Sequence, residues 1–138
     1  MIQLDTYRRH AALVIVSQEV TVAEMSEVLG VAPDQALEAG TVRSGSILRI
    51  PARENSWEIF EQGDSSADMS DIIANVAQRA IPLRPGLVEL RNRGCVIKLD
   101  LVQYLSPTDP VGPGFVLDTP MIELLSALDG FVDVDQYV

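Results

Sequence analysis

The chain has 138 residues, of which 47% are apolar, and Cys95 is its single cysteine. A chain of this length fits one domain, the apolar content excludes a disordered protein, and one cysteine excludes an internal disulfide. Twenty acidic residues against ten basic ones give a formal charge of −10, which disfavours binding to nucleic acid or to an anionic membrane surface.

The first predicted element is a buried strand. The stretch from His10 to Ser17 is apolar and rich in β-branched residues, as is typical of such strands. Arg8 and Arg9 precede it, but the apolar run is shorter than a signal-peptide core and no cleavage site follows. No apolar run reaches the ~20 residues that span a bilayer. We therefore expect a cytoplasmic protein with a single domain over residues 1–138, in which residues 1–9 are an N-terminal extension.

A short helix is predicted next. Thr21 and Glu24 form a capping box, in which both side chains satisfy free backbone N–H groups. Val22, Met25 and Leu29 fall on one helical face, and the glycine that follows favours the left-handed conformation that ends a helix.

The segment after this helix has weaker signals. Residues 31–40 are interpreted as a connection with a short helical turn. Two short strands around a turn are then predicted at Ile47–Ile50 and Trp57–Glu61, because Pro51 and Asn55 interrupt the β-rich pattern.

Helical spacing of apolar residues returns at Met69 and continues through Ile81. Pro82 and Pro85 are expected to end this helix, since proline lacks the N–H that a helix interior needs. A second helical piece is predicted over residues 87–94.

The longest predicted strand runs from Cys95 to Leu105. Ile97, Leu99 and Leu101 alternate with more polar residues, a pattern that indicates one covered and one wetter face.

A loop rich in proline and glycine is predicted over residues 106–114. Thr119 is predicted to cap a final helix with Pro120 at its first position, and Gly130 ends that helix. The closing strand, residues 131–138, alternates apolar with acidic residues.

The element order β-α-β-β-α-β-α-β predicts an α+β fold. We expect a two-layer sandwich of ferredoxin-like type, with a mainly antiparallel sheet and helices on one of its faces.

Asp133 and Asp135 are the first candidates for chemistry. Residues two apart on a strand point to the same face, with Cα atoms about 6.5–7 Å apart, so the pair, joined by Asp100, could hold a cation. The alternation with Val132 and Val134 favours a plainer interpretation, in which the acids face water and discourage edge-to-edge pairing.

Residue types that carry catalysis are scarce. His10 is the only histidine, and one histidine with one cysteine cannot complete a zinc site without several carboxylates. No G-x-S-x-G motif is present, and Cys95 opens an apolar strand, where a free cysteine behaves as a small hydrophobe. The sequence therefore predicts no catalytic residue, no cofactor and no enzyme.

Two further features are left open as functional sites. Basic residues cluster between Arg79 and Lys98 and could bind carboxylates or phosphates, although several lie near predicted helix ends, where cations complement the helix dipole. The loop at residues 106–114 contains Pro113, which removes an N–H that a phosphate cradle would use, so a turn-rich connection is the preferred interpretation.

Aromatic side chains give the strongest binding prediction. The five residues concerned are Trp57, Phe60, Tyr104, Phe131 and Tyr137. On the uncovered face of the sheet they would form an interface with a partner or with a second copy of the chain. The alternative, that these rings complete the core, is equally compatible with the sequence.

Four stretches resemble a known family in their order along the chain: LVIVSQEVTVAEMSEVLGVAPDQALEAG, NSWEIF, LRNRGCVIKLDLVQYL and LLSALDGFVDVDQYV. The chain is similar, over about residues 10–137, to a small bacterial family catalogued as domain of unknown function 4279. The resemblance implies a bacterial protein and a shared fold, and it implies no activity.

The first hypothesis for function is a non-enzymatic protein-interaction module, with an immunity-like role against a basic toxin as its sharpest form. The partner would be a protein, basic on grounds of charge, or a second copy of the chain. The alternative hypothesis is a regulatory domain that binds a small ligand or a divalent metal through Asp100, Asp133 and Asp135.

Overall fold

A computed structural model describes residues 7–42 and 50–138. Within these ranges the chain forms β1 (Arg9–Ser17), α1 (Val22–Leu29), β2 (Gln35–Leu37), β3 (Asn55–Gly63), α2 (Met69–Ala80), α3 (Arg84–Asn92), β4 (Val96–Tyr104), α4 (Thr119–Ala127) and β5 (Phe131–Tyr137). The 3-10 turn Ile81–Leu83 joins α2 to α3.

The strands form one sheet in the order β2-β3-β1-β4-β5. The central strand β1 is antiparallel to both β3 and β4, β2 is antiparallel to β3, and β5 is parallel to β4. Because β3 and β4 both oppose β1, they run parallel to each other with β1 between them. This split β-α-β unit is the one found in ferredoxin-like folds, and the predicted α+β class with a mainly antiparallel sheet is confirmed.

One face of the sheet and the apolar sides of the four helices form a single core. Leu13 and Ile15 of β1, with Leu99 and Leu101 of β4, are fully buried there. Each such side chain contributes roughly 1.5–3 kcal/mol when it leaves water. The alternation predicted for β4 is confirmed, since its inward residues are buried and the residues between them are partly exposed.

The start and end of α1 follow the sequence signals. The Glu24 N–H donates to Thr21 Oγ1 at 3.1 Å, and the Thr21 hydroxyl donates to Glu24 Oε1 at 3.1 Å. Gly30 ends the helix with φ of 75°, a conformation in the left-handed region that glycine adopts without steric cost.

The prediction of two helical pieces with a break between them is confirmed for α2 and α3, although α3 begins at Arg84, three residues before its predicted start. Helix α2 ends at Ala80, one residue before the predicted end, and the turn that contains Pro82 separates it from α3. Pro85 lies in the first turn of α3, where the missing N–H costs no intrahelical hydrogen bond.

The cap of α4 was predicted one residue too late. Helix α4 begins at Thr119 and not at Pro120, and the capping side chain is Asp118, whose Oδ1 accepts from the Met121 N–H at 3.3 Å. Asp118 and Thr119 are both good caps, so local preference alone does not choose between them.

The helical turn predicted within residues 31–40 is wrong. That segment holds the short edge strand β2, which pairs with Ser56, Trp57 and Glu58 of β3. The predicted strand Ile47–Ile50 falls almost entirely outside the described residues. The predicted strand Trp57–Glu61 is confirmed as the middle of the longer β3.

The N-terminal extension predicted for residues 1–9 is too long, because Arg9 is already paired in β1. Residues 1–6 of that extension lie outside the described part of the chain. None of the helices in residues 7–42 and 50–138 has the length and apolar character needed to cross a membrane.

Candidate functional site

The face of the sheet opposite the helices, called the open face below, carries the candidate site. Its members follow from strand register, because side chains of paired residues point to the same face. Asp100 of β4 pairs with Ala12 of β1 and with Asp133 of β5, and none of the three belongs to the core cluster between the sheet and the helices, although Ala12 is buried. The same register places on this face His10, Val14, Glu58, Phe60, Lys98, Val102, Tyr104, Phe131, Asp135 and Tyr137.

A cleft of about 740 Å³ lies on the open face, over the central strands and beside β2. Small-molecule sites commonly have a volume in this range. Its lining includes His10, Gln35, Leu37, Ser56, Glu58 and Asp100. The cleft is therefore a polar concavity with an apolar floor supplied by Ala12 and Val102.

Asp100 is the most unusual group in this cleft. Burial raises the pKa of its carboxyl, the Lys98 ammonium opposes that shift, and the negative charges of Asp133 and Asp135 add to it. Its Oδ1 atom is buried, and its one close donor is Lys98 Nζ at 3.4 Å, a distance at the long end of the hydrogen-bond range. A buried carboxylate oxygen in this state can accept a hydrogen bond from a donor that enters the cleft.

The surroundings of His10 favour its neutral form. Burial lowers the pKa of its imidazole, and its Nδ1 lies 3.2 Å from Gln62 Nε2. Because an amide nitrogen only donates, Nδ1 accepts and the proton resides on Nε2. The ring lies 5.1 Å from that of Phe60. Cys95 lies in the core on the other side of the sheet, where burial raises the pKa of its thiol, so these two residues cannot act together.

Tyr104 and Tyr137 form a stacked pair on the open face. Their register in β4 and β5 brings the ring centroids to 5.1 Å with an interplanar angle of 19°. Tyr137 is 51% exposed, and Phe131, at the other end of β5, is 49% exposed. With Phe60, four of the five predicted aromatic residues therefore lie on the open face.

Trp57 is the exception, and the prediction that it lines the uncovered face is wrong. Its side chain is fully buried in the core, and its Nε1–H donates to Ser26 Oγ of α1 at 3.1 Å. Alternation along β3 explains the difference, because Trp57 and Phe60 are three residues apart and must point to opposite faces.

Asp100, Asp133 and Asp135 do share the open face, as the alternative hypothesis requires. However, Lys98 Nζ lies near two of them, at 3.4 Å from Asp100 Oδ1 and 4.0 Å from Asp133 Oδ2. In the part of the chain that the structure describes, no group of three or more His, Cys, Asp or Glu side chains is placed to hold a metal ion. An ammonium group thus takes the position that a bound cation would need.

A family model for a domain of unknown function, DUF4279, matches residues 5–138. The chain belongs to the DUF4279 family. The resemblance inferred from the residues is therefore confirmed. No curated protein and no solved structure matches the chain.

This DUF4279 domain also contains a buried charge that the sequence did not suggest. Arg9 is fully buried, and its guanidinium donates to Asp109 Oδ2 at 3.3 Å and to the carbonyl oxygens of Tyr104 and Val111 at 3.2 and 3.3 Å. The interaction ties the predicted loop, residues 106–114, to the sheet. No local signal identifies this pair, because its two members are 100 residues apart.

Four of the five basic residues between Arg79 and Lys98 form ion pairs within the domain. Arg79 donates to Asp34 Oδ2 at 2.7 Å and to Glu61 Oε2 at 2.9 Å, and it lies in the last turn of α2. The other close pairs are Arg91 with Asp129 at 2.8 Å and Arg93 with Glu24 at 2.7 Å. These contacts favour a structural role over a binding role for the cluster.

Proposed function

We propose that this DUF4279 domain is a non-enzymatic, cytoplasmic protein-interaction module of bacterial origin whose open face binds a basic partner protein. The observation that carries the proposal is the coincidence, on one exposed face, of aromatic rings and carboxylates. Phe131 and the stacked Tyr104 and Tyr137 supply the rings, and Asp133 and Asp135 supply the charge.

Aromatic residues are enriched at protein interfaces and at the positions that dominate binding energy. Tyrosine combines a large apolar surface with a hydroxyl that tolerates water, so a stacked pair of half-buried Tyr104 and exposed Tyr137 suits a surface that is sometimes covered.

The sign of the charge selects the partner. Asp100 and Asp133 share one ammonium group, that of Lys98, so with Asp135 this part of the open face carries net negative charge. A formal charge of −10 on the whole chain has the same sign. Opposite charges accelerate association and exclude acidic competitors.

The sharpest form of the proposal is an immunity-like role, in which the partner is a basic toxin. An acidic inhibitor captures a basic protein rapidly at low ionic strength because the two fields steer the encounter. Co-expression with the product of an adjacent toxin gene tests this form. Protection that survives charge reversal on the open face contradicts it.

The proposal is tested with a partner captured from the native cell and then purified for calorimetry. We expect Asp133→Lys with Asp135→Lys to weaken binding at least about tenfold, a difference of about 1.4 kcal/mol. The matched control, Glu27→Lys with Glu123→Lys, makes the same charge change at exposed helical positions.

The control should bind within about twofold of the unmodified domain, and raised salt should weaken both. Equal weakening by the two double variants would mean that overall charge, and not the open face, determines binding. A partner bound equally well by all three proteins would contradict the proposal outright.

A second function, binding of a small ligand, is favoured by one observation. The buried Asp100 Oδ1 lies in a cleft of about 740 Å³ and is contacted by Lys98 Nζ only at 3.4 Å, so a ligand with an amine or amidine group could supply a closer donor. The divalent-metal form of this hypothesis has less support, because Lys98 already contacts Asp100 and Asp133.

Thermal melting distinguishes these alternatives. A ligand that binds only the folded domain raises its melting temperature in proportion to RT ln(1 + [L]/Kd), and Asp100→Asn should abolish the increase. An unchanged melting temperature with millimolar calcium, millimolar magnesium and a panel of small amines and amidines would exclude this second function.

A further inference from the structure

Strand β5 forms one edge of the sheet. It pairs with β4 on one side and with no strand on its other side among residues 7–42 and 50–138. The Leu105 N–H donates to the carbonyl oxygen of Tyr137 at 2.6 Å, so the backbone of Tyr137 faces β4. Since successive residues of a strand direct their backbone groups to opposite sides, Val132, Val134 and Gln136 direct theirs to the free edge.

This edge is accessible along its length. Val134 is 44% exposed, and every residue of β5 except Val132 is exposed. An edge strand with unpaired backbone groups is a template for another strand. Such a strand would gain main-chain hydrogen bonds at Val132, Val134 and Gln136.

A second copy of the chain fits this edge poorly. An antiparallel copy that pairs the whole of β5 and continues the open face places Val134 opposite its equivalent. That register sets Asp133 of each copy opposite Asp135 of the other. Like charges directly opposite each other in a sheet are destabilising. A strand with cations at those positions would gain the interaction that the second copy loses.

We propose that β5 binds an extended segment of a basic protein as an added edge strand. Lysine or arginine side chains of that segment lie opposite Asp133 and Asp135 on the open face, and an apolar side chain packs beside Val134 on the other. Main-chain hydrogen bonds supply affinity, and the alternating side chains supply specificity. This inference rests on the proposed function and specifies how the basic partner is held.

The test uses a fluorescent eight-residue peptide, Gly-Lys-Val-Lys-Val-Lys-Val-Gly with blocked ends, and measures its anisotropy. Two further peptides have the same sequence and charge and carry N-methyl groups either on every valine or on every lysine. Only one of these two sets of backbone N–H groups faces β5. It is the set of the valines if the peptide pairs antiparallel to β5 and the set of the lysines if it pairs parallel. We expect one methylated peptide to lose at least tenfold in affinity and the other to bind within threefold of the unmodified peptide.

Three results would overturn strand addition. Equal binding of all three peptides shows that charge alone attracts them, and it leaves the proposed function standing. If the unmodified peptide does not bind, strand addition is overturned, even where the purified partner binds. The experiment with the purified partner decides the proposed function separately. A stable dimer of the domain that Val134→Pro dissociates identifies a second copy as the occupant.

Substitutions in the domain complete the test. Val134→Pro removes an N–H that faces the free edge and leaves the bonds to β4 intact, so the domain should fold and lose the peptide. Should that variant fail to fold, Asp133→Lys with Asp135→Lys provides the second test. It should reject the lysine peptide and bind a peptide in which glutamate replaces each lysine. Failure of this exchange overturns the assignment of the two aspartates.

Discussion

Replacement of Trp57 by alanine tests whether the indole belongs to the core or to a binding surface. The ring is fully buried between α1 and the sheet, and Trp57 pairs with Ile15 of β1 and Ala36 of β2. Truncation removes most of the side chain from a site where strands on both sides fix the backbone. The cavity will therefore collapse only partly.

The magnitude follows from two losses. Truncation of a buried aromatic side chain to alanine costs about 3–5 kcal/mol. The lost hydrogen bond to Ser26 adds less than about 1 kcal/mol, because Ser26 is partly exposed and water can replace the indole N–H. A total near 4 kcal/mol is a large fraction of the roughly 5–15 kcal/mol that stabilises a typical domain. At about 4 °C per kcal/mol for a domain of this size, the melting temperature should fall by roughly 16 °C.

Far-ultraviolet circular dichroism during heating and urea titration is the appropriate assay, because the variant lacks the only tryptophan of the chain. Trp57→Phe keeps most of the apolar volume and loses the N–H, so it should cost only about 1–2 kcal/mol. Tyr137→Ala, at a site 51% exposed, should change stability by less than about 1 kcal/mol. A fall of less than about 3 °C for Trp57→Ala would refute the assignment of this ring to the core.

Three further substitutions test the electrostatics. Asp100→Asn should raise the melting temperature at pH 7. Burial raises the pKa of Asp100, so the native domain loses stability as pH rises through that pKa and the carboxyl ionises. The higher melting temperature of the variant should therefore vanish as pH falls below the ordinary pKa of 3.8. Burial lowers the pKa of His10, so the native domain loses stability as pH falls through that pKa. His10→Gln should therefore lose less stability than the unmodified domain between pH 7 and pH 5. Identical stability profiles of the two proteins over this range would refute the argument. Arg79→Met should cost about 1 kcal/mol in global stability, since the ion pairs of Arg79 are partly exposed. It should also accelerate hydrogen exchange in β2, because Asp34 beside β2 bonds to Phe60 of β3 and to Arg79 of α2. Unchanged exchange in β2 would contradict the role of Arg79 in holding this strand.

Elements whose signals are local were predictable from the sequence. The capping box of α1 joins residues three apart, and the glycine that ends the helix follows at once. The alternation of β4 spans nine residues and needs no distant partner to be recognised. In both cases the residues that determine the element lie within one short stretch of the sequence.

Elements held by distant contacts were not predictable. Strand β2 has only three residues, and Asp34, beside it, bonds to Phe60 and to Arg79, which is 45 residues away. Arg9 is buried because Asp109 and two carbonyl groups at the far end of the chain accept its hydrogen bonds. Neither interaction can be recognised from neighbouring residues, because its partners are far apart in the sequence.

The error in the placement of Trp57 has a local signal in the sequence. The prediction places Trp57 and Phe60 on one face although they are three positions apart within a predicted strand. The period-two alternation of a strand forbids that arrangement. The same rule correctly places Asp133 and Asp135 together, and register with Asp100 then requires the tertiary structure.

The two interpretations of Asp133 and Asp135 are compatible because each concerns a different neighbour of β5. Acids at alternate positions of an edge strand do discourage pairing with an identical strand, which explains why a long and exposed edge can remain unpaired. The same charges leave the backbone groups of Val132, Val134 and Gln136 available to a strand of opposite charge. A feature that protects the edge from the chain's own copies therefore makes it selective for a basic partner, and no separate recognition element is needed.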